Sequence, residues 1–154
     1  MTDANPQELP PLVVNGQYIK DLSFEVPGAP AIFGELERSP DIPVSVDITV
    51  NPLREKTYEV ILHLKIDAHV ENKPVFIVEV DYGGVFTLNV PQEHVQPMLL
   101  VECPRLLFPF VRNIVADLTR DGGFPPLMMQ PIDFVQLYRA RMAQAAETGQ
   151  VGHA

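Results

Sequence analysis

The sequence predicts an α+β fold, a four-stranded antiparallel sheet with helices packed on one face. Three observations carry this. Apolar and polar residues alternate through most of residues 18–90, the period of half-buried strands. From residue 92 onward the apolar residues recur at three- and four-residue spacing, the period of helices. The strands succeed one another without intervening helices, and each keeps one wet face, which buried parallel strands lack. At 154 residues the chain fits one domain, large enough to bury about 68–70% of its unfolded surface without staples.

The first strand spans Tyr18 to Val26, with Leu22, Phe24 and Val26 on one side and Asp21, Ser23 and Glu25 on the other. Pro27-Gly28-Ala29-Pro30 ends it, and a long connection to Pro40 holds Ile32, Phe33 and Leu36. The second strand alternates from Ile42 to Val50 and stops at Asn51-Pro52. In the third, Tyr58 to Val70, the even positions are apolar, with His63, Lys65, Asp67 and His69 opposite. The fourth carries Phe76, Val78, Val80 and Tyr82 on one face and Val75, Ile77, Glu79 and Asp81 on the other. Gly83-Gly84 predicts a bulge or tight bend inside it.

A short helix is expected over Gln92 to Glu102, weakened by Pro97 and broken at Cys103-Pro104. A second then runs from Pro104 to the Gly122-Gly123 stop, with Leu107, Phe110 or Val111, Ile114 and Leu118 on its apolar side. After a Pro-rich connection carrying Leu127, Met128 and Met129, Asp133 and Gln136 resemble a capping box for a last helix, Phe134 to about Glu147.

Composition excludes several functions. Eleven basic against twenty acidic residues give a formal charge of −9, which argues against nucleic acid and against an anionic membrane surface. No apolar run approaches the roughly 20 residues that span a bilayer, so no membrane insertion is expected. Residues 1–11 lack a basic start and an apolar run, so no signal peptide is expected, and the protein is placed in the cytoplasm. With Cys103 alone there is no internal disulfide and no cysteine-based zinc site. No phosphate-binding loop is present. His63 and His69 lie about 20 Å apart on a strand, too far for one metal, so they are expected to be exposed and no metal or cofactor is expected. Cys103 is expected to pack in the core, and Asp21 and Glu25 to lie on a solvated face.

Two features call for a partner. Val75 and Ile77 stand beside Glu79 on the face opposite the core, an apolar and acidic mixture typical of a contact surface. Ile32, Phe33, Phe124, Leu127, Met128 and Met129 lie in connections, where large apolar side chains act as lids or line grooves.

Several stretches resemble the SecB protein-export chaperone family: Tyr18 to Pro30, Phe76 to Phe86 with Glu79 and the glycine pair, Cys103-Pro104 through Phe110 and Arg112, Gly123 to Leu127, and Pro131 to Leu137. The resemblance implies a homotetramer built as a dimer of dimers. It implies an ATP-independent chaperone, not an enzyme, that binds unfolded precursors of exported proteins and delivers them to the SecA motor, whose C-terminal segment is basic and zinc-bearing. Carried over by position, SecA-binding residues are Asp21, Glu25, Ile77 and Glu79, and residues affecting assembly are Val78, Val80 and Tyr82. The expected chaperone domain is 12–147, between a flexible start (1–11) and a flexible tail (148–154).

A client groove is expected between the helices and the Ala31–Leu36 connection, lined by Phe24, Ile32, Phe33, Leu127, Met128 and Phe134. Two alternatives stand beside this. Sheet-and-helix oligomers of the thioesterase type are also similar, with Asp117, Glu102 and His94 as the available acid–base residues. A SecB-like chaperone can also be dedicated to another client, such as an antitoxin.

Overall fold

The computed structural model describes residues 8–152. Four strands, β1 (Leu12–Glu25), β2 (Val44–Arg54), β3 (Thr57–Val70) and β4 (Lys73–Leu88), form one antiparallel sheet in the order β1-β4-β3-β2. Helices α1 (Gln92–Pro97), α2 (Cys103–Asp121) and α3 (Phe134–Gly152) come after the sheet. The connection over residues 26–43 carries the chain from one edge of the sheet to the other.

Directly opposed residues of antiparallel strands share a face, and the register assigns both faces. Leu22 and Phe24 oppose Val80 and Val78, which oppose Leu64 and Ile66. All of these look toward the helices. Val60, Leu62, Ile66, Val78, Val80 and Phe86 are fully buried there beneath Leu107, Val111 and Val115 of α2. The other face is open to solvent and mostly polar.

β1 begins earlier than the alternation alone indicated, because two bulges interrupt it, one between Val14 and Gly16 and one between Ile19 and Asp21. Each extra residue inverts the parity of the residues after it, so the strand carries no single alternation from end to end. Val75 is a correction. It is fully buried, not exposed, because the ladder shifts between Ala68 and His69 at this end of β4.

The helical region also differs from expectation. No break occurs at Cys103-Pro104. A π-helical turn, Met98–Glu102, joins α1 to α2, and the Cys103 N–H donates to Met98 O five residues back. The wider turn makes room for the proline ring that a regular turn would exclude. Helix α3 runs past Glu147 to Gly152, since Ala143, Ala145 and Ala146 are strong helix formers. Residues 153 and 154 of the expected tail, and 1–7 of the expected flexible start, lie outside the described residues. The Gln136 N–H donates to Asp133 Oδ1 at 3.1 Å, the cap bond expected at the start of α3.

Gly84 sets how closely α2 approaches the sheet. A Cβ there would lie 2.7 Å from the Phe86 ring and 3.0 Å from Leu107 Cδ2. Phe86 and Leu107 are both fully buried and have no space to retreat into. Gly84→Ala is therefore expected to destabilise the protein by about 1–3 kcal/mol, measured as a lower urea midpoint with an unchanged slope.

Candidate functional site

The open face of the sheet is built from cross-strand rows. Asp47, His63, Asp81 and Asp21 stand opposite one another across all four strands. The next row is Ser45, Lys65, Glu79 and Ser23, and beyond it Asp67, Ile77 and Glu25. The four sequence-predicted docking residues, Asp21, Glu25, Ile77 and Glu79, thus come together on one face. Glu25 directly opposes Ile77. Asp21, Glu25 and Glu79 are exposed and Ile77 is half-buried. Lys65 pairs with Glu79 at 3.4 Å. His63 is half-buried, not exposed as expected: its Nδ1 lies 2.7 Å from Asp81 Oδ1 and its Nε2 2.7 Å from Thr49 Oγ1.

At one end of this face sits a network that sequence reasoning missed. The Tyr18 hydroxyl donates to Glu59, Lys20 Nζ reaches both Glu59 oxygens at 3.1 and 2.9 Å, and Asn51 Nδ2 donates at 2.9 Å. The Tyr18 ring crosses β4 directly over Gly83, where a Cβ would lie 2.7 Å from the ring. The Tyr18, Asn51 and Lys20 bonds, in that order, hold the Glu59 carboxyl down at about 2, against an ordinary 4.5. Burial, then the bond to Glu59, pushes the Tyr18 hydroxyl up to about 12.

Because the folded pKa of Glu59 is depressed, its contribution to stability is complete above the unfolded value near 4.5. It is lost as pH falls toward 2. The stability gap between the native protein and Glu59→Gln is expected to be on the order of 3 kcal/mol at neutral pH and to close near pH 2. Urea unfolding across that range measures it.

The predicted groove residues separate. Phe24, Phe33, Phe76 and Phe124 form an aromatic cluster, with Phe33–Phe124 and Phe76–Phe124 centroids 5.2 Å apart. Phe33 and Met128 are exposed, and Leu127 and Phe24 are half-buried. Ile32 and Phe134 are corrections. Both are buried in the core, Phe134 edge-on to Phe108, and Ile32 shows only a small edge to a cavity. That cavity is lined by Ile32 and Val70 together with Glu35, Glu37, Arg38, Glu71 and Lys73, with Lys73 paired to Glu35 and Arg38 to Glu71. Ion-paired walls make it a poor trap for apolar chain.

The apolar trough lies elsewhere, along the seam between edge strand β2 and α3. Two adjoining cavities of about 320 and 410 Å³ line this seam, and a third of about 530 Å³ continues it between Val50 and Tyr58 of the sheet and α1 with the π turn. The first shares Val46, Leu137 and Ala140 with the second, and Leu100 and Arg141 with the third. Val44, Ile132, Tyr138 and Val50 add apolar lining, and Asp47, Glu93, Asp133, Gln136 and Gln144 add polar groups beside it, so the trough is mostly but not wholly apolar. Arg141 Nη1 donates to Ile48 O at 3.0 Å and ties α3 to β2.

The residues expected to affect assembly also need correction as contact residues. Val78 and Val80 are fully buried and Tyr82 nearly so, all beneath α2 within one copy. Tyr82 stacks on Phe110 at 5.9 Å, and it is Phe110, with Leu106, Ile19 and Leu22, that stands exposed on this side.

Cys103 is fully buried, and burial pushes its thiol up to about 12, which leaves no reactive thiolate near neutral pH. Glu102, Asp117 and His94 each have a local partner, in Arg105, Arg120 and Glu93 respectively. Among the described residues no group of three His, Cys, Asp or Glu could hold a metal ion, and no helix is long and apolar enough to cross a membrane.

Comparison with known proteins gives a consistent result. A solved SecB-like chaperone of Mycobacterium tuberculosis, in complex with an antitoxin peptide, shares the fold with a TM-score of 0.66 over 79% of this chain and 90% of that one, at 14% identity. The protein-export protein SecB of Paramagnetospirillum magneticum is 60% identical, covering 97% of this chain and 99% of its own. That of Rhodospirillum rubrum is 57% identical, covering 90% and 86%. The family model for preprotein translocase subunit SecB matches residues 5–145. With the family model matching residues 5–145 and relatives up to 60% identical over nearly the whole length, the chain belongs to the SecB family.

Proposed function

We propose that this protein is an ATP-independent holding chaperone of protein export in the cytoplasm. It captures unfolded precursors in the β2–α3 trough and delivers them to SecA through the open face of the sheet. The observation that carries this is the separation of two unlike surfaces. An apolar trough lies on the helical side, and a solvated face bearing Asp21, Glu25, Ile77 and Glu79 lies on the other.

A site that serves many clients must not read one motif. Apolar cavities accept varied side chains, and the edge strand beside them offers backbone groups that any extended chain can meet. Binding unfolded chain and not its folded form draws clients away from folding by mass action. The acidic face suits a different task, since carboxylates steer and orient a basic segment such as the zinc-bearing C-terminal segment of SecA.

The family resemblance supports assembly as a dimer of dimers. The exposed Phe110, Leu106, Ile19 and Leu22 are the apolar surface that a second copy would cover. Several troughs on one particle then add avidity along a long client. Residues 12–147 form the chaperone domain in this reading.

Titration of a non-native exported precursor, monitored by native mass, tests the proposal. A tetramer that takes up the unfolded precursor and ignores its folded form is the expected result. Capture of the folded form alone, or of neither, refutes it.

A further inference from the structure

The docking residues Asp21 and Glu25 share a face only because of the bulge in front of them. Up to Ile19, β1 pairs so that Tyr18 opposes Gly83 and Ile19 opposes Tyr82. Lys20 then drops out of the ladder, and Asp21 opposes Asp81. Had the register before the bulge continued, Asp21 would oppose Val80 and Glu25 would oppose Phe76, both turned toward the core.

The apolar pattern does not choose where the extra residue sits. If Ser23 were extruded instead of Lys20, Phe24 and Glu25 would keep their present sides. Only Asp21 and Leu22 would exchange faces. Within one subunit Leu22 is 38% exposed, so burial inside the subunit opposes that exchange weakly. Something else must pin the bulge.

Glu59 is placed to do so. It reaches from β3 across β4 and holds the two residues that frame the register change. Tyr18 is the last open-face residue before it, and Lys20 is the extruded residue itself. Gly83 lets the Tyr18 ring lie flat over β4, and Asn51 steadies the carboxylate from β2, so all four strands take part. We propose that Glu59 is a positioning residue for docking, which fixes the β1 bulge at Lys20 and so keeps Asp21 on the open face beside Glu25, Ile77 and Glu79. This rests on the reading of the open face as the docking surface.

Two readouts in the full-length protein test it. The pair Asp21→Cys with Asp81→Cys reports register by oxidative cross-linking, since the two residues are direct partners. Binding of a synthetic basic SecA C-terminal segment is measured separately, without the added cysteines. In a Glu59→Leu background, cross-linking is expected to fall about fivefold and segment binding about tenfold at low ionic strength. Glu59→Gln, which keeps an acceptor for the Tyr18 hydroxyl, retains more of both. Lys20→Met alters an exposed side chain and spares the fold, and is expected to halve cross-linking roughly.

Weaker binding with unchanged cross-linking would overturn the proposal, because Glu59 would then act through its own charge. Weaker cross-linking with unchanged binding would overturn it as well, and so would no change in either. Asp21→Asn with Glu25→Gln, in a chain whose Glu59 network is intact, tests the docking surface by itself. Unchanged binding there would reject the surface, whatever the register assay gives.

Discussion

Replacing Asp21 with Asn and Glu25 with Gln is expected to lower affinity for a basic SecA segment by about one to two orders of magnitude at low salt, with most of the difference gone at high salt. Both side chains are exposed on the open face, opposite Asp81 and Ile77. The substitutions remove two charges, keep the volumes and leave the buried face untouched. Thermal stability and client capture are expected to stay as they are. Titration calorimetry at two salt concentrations measures the effect. Glu79 contributes less than its exposure implies, because Lys65 already pairs with it. Glu79→Gln alone is therefore the weaker variant.

Placing charge in the trough has the opposite pattern of effects. Val44→Asp with Ala140→Glu puts two carboxylates on facing walls of the cavity between β2 and α3, at positions exposed enough to spare the fold. An unfolded client would have to bury apolar side chains against these charges or leave them wet, and either removes the driving force for capture. Suppression of aggregation of a denatured precursor is expected to be nearly abolished, while affinity for the SecA segment is unchanged. Phe33→Ser with Met128→Ser serves as the comparison. These residues lie outside the three cavities along β2, and the expected loss is smaller.

The sheet was legible because alternation over Tyr58–Val70 and Phe76–Tyr82 is a local signal, and the same parity predicts which carboxylates are wet. The bulges in β1 were not legible. A bulge is a relation between strands, and the pair that holds it, Lys20 and Glu59, is 39 residues apart. The trough was hidden for the same reason. Val44 and Val46 read as ordinary strand residues and Leu137 and Ala140 as ordinary helix residues, and only their approach creates cavities. Phe134 and Ile32 drew attention as apolar residues beside loops, yet burial had claimed both. The helix through Pro104 was missed because a π turn repairs what the local rule for proline forbids.

The proposed function puts capture and delivery on different surfaces of one molecule. The direct measurement is affinity for the basic SecA segment with and without a saturating non-native precursor. Equal affinity in the two states, with all three components in one native-mass peak, is the expected result. Competition between precursor and segment, so that either displaces the other, would contradict it.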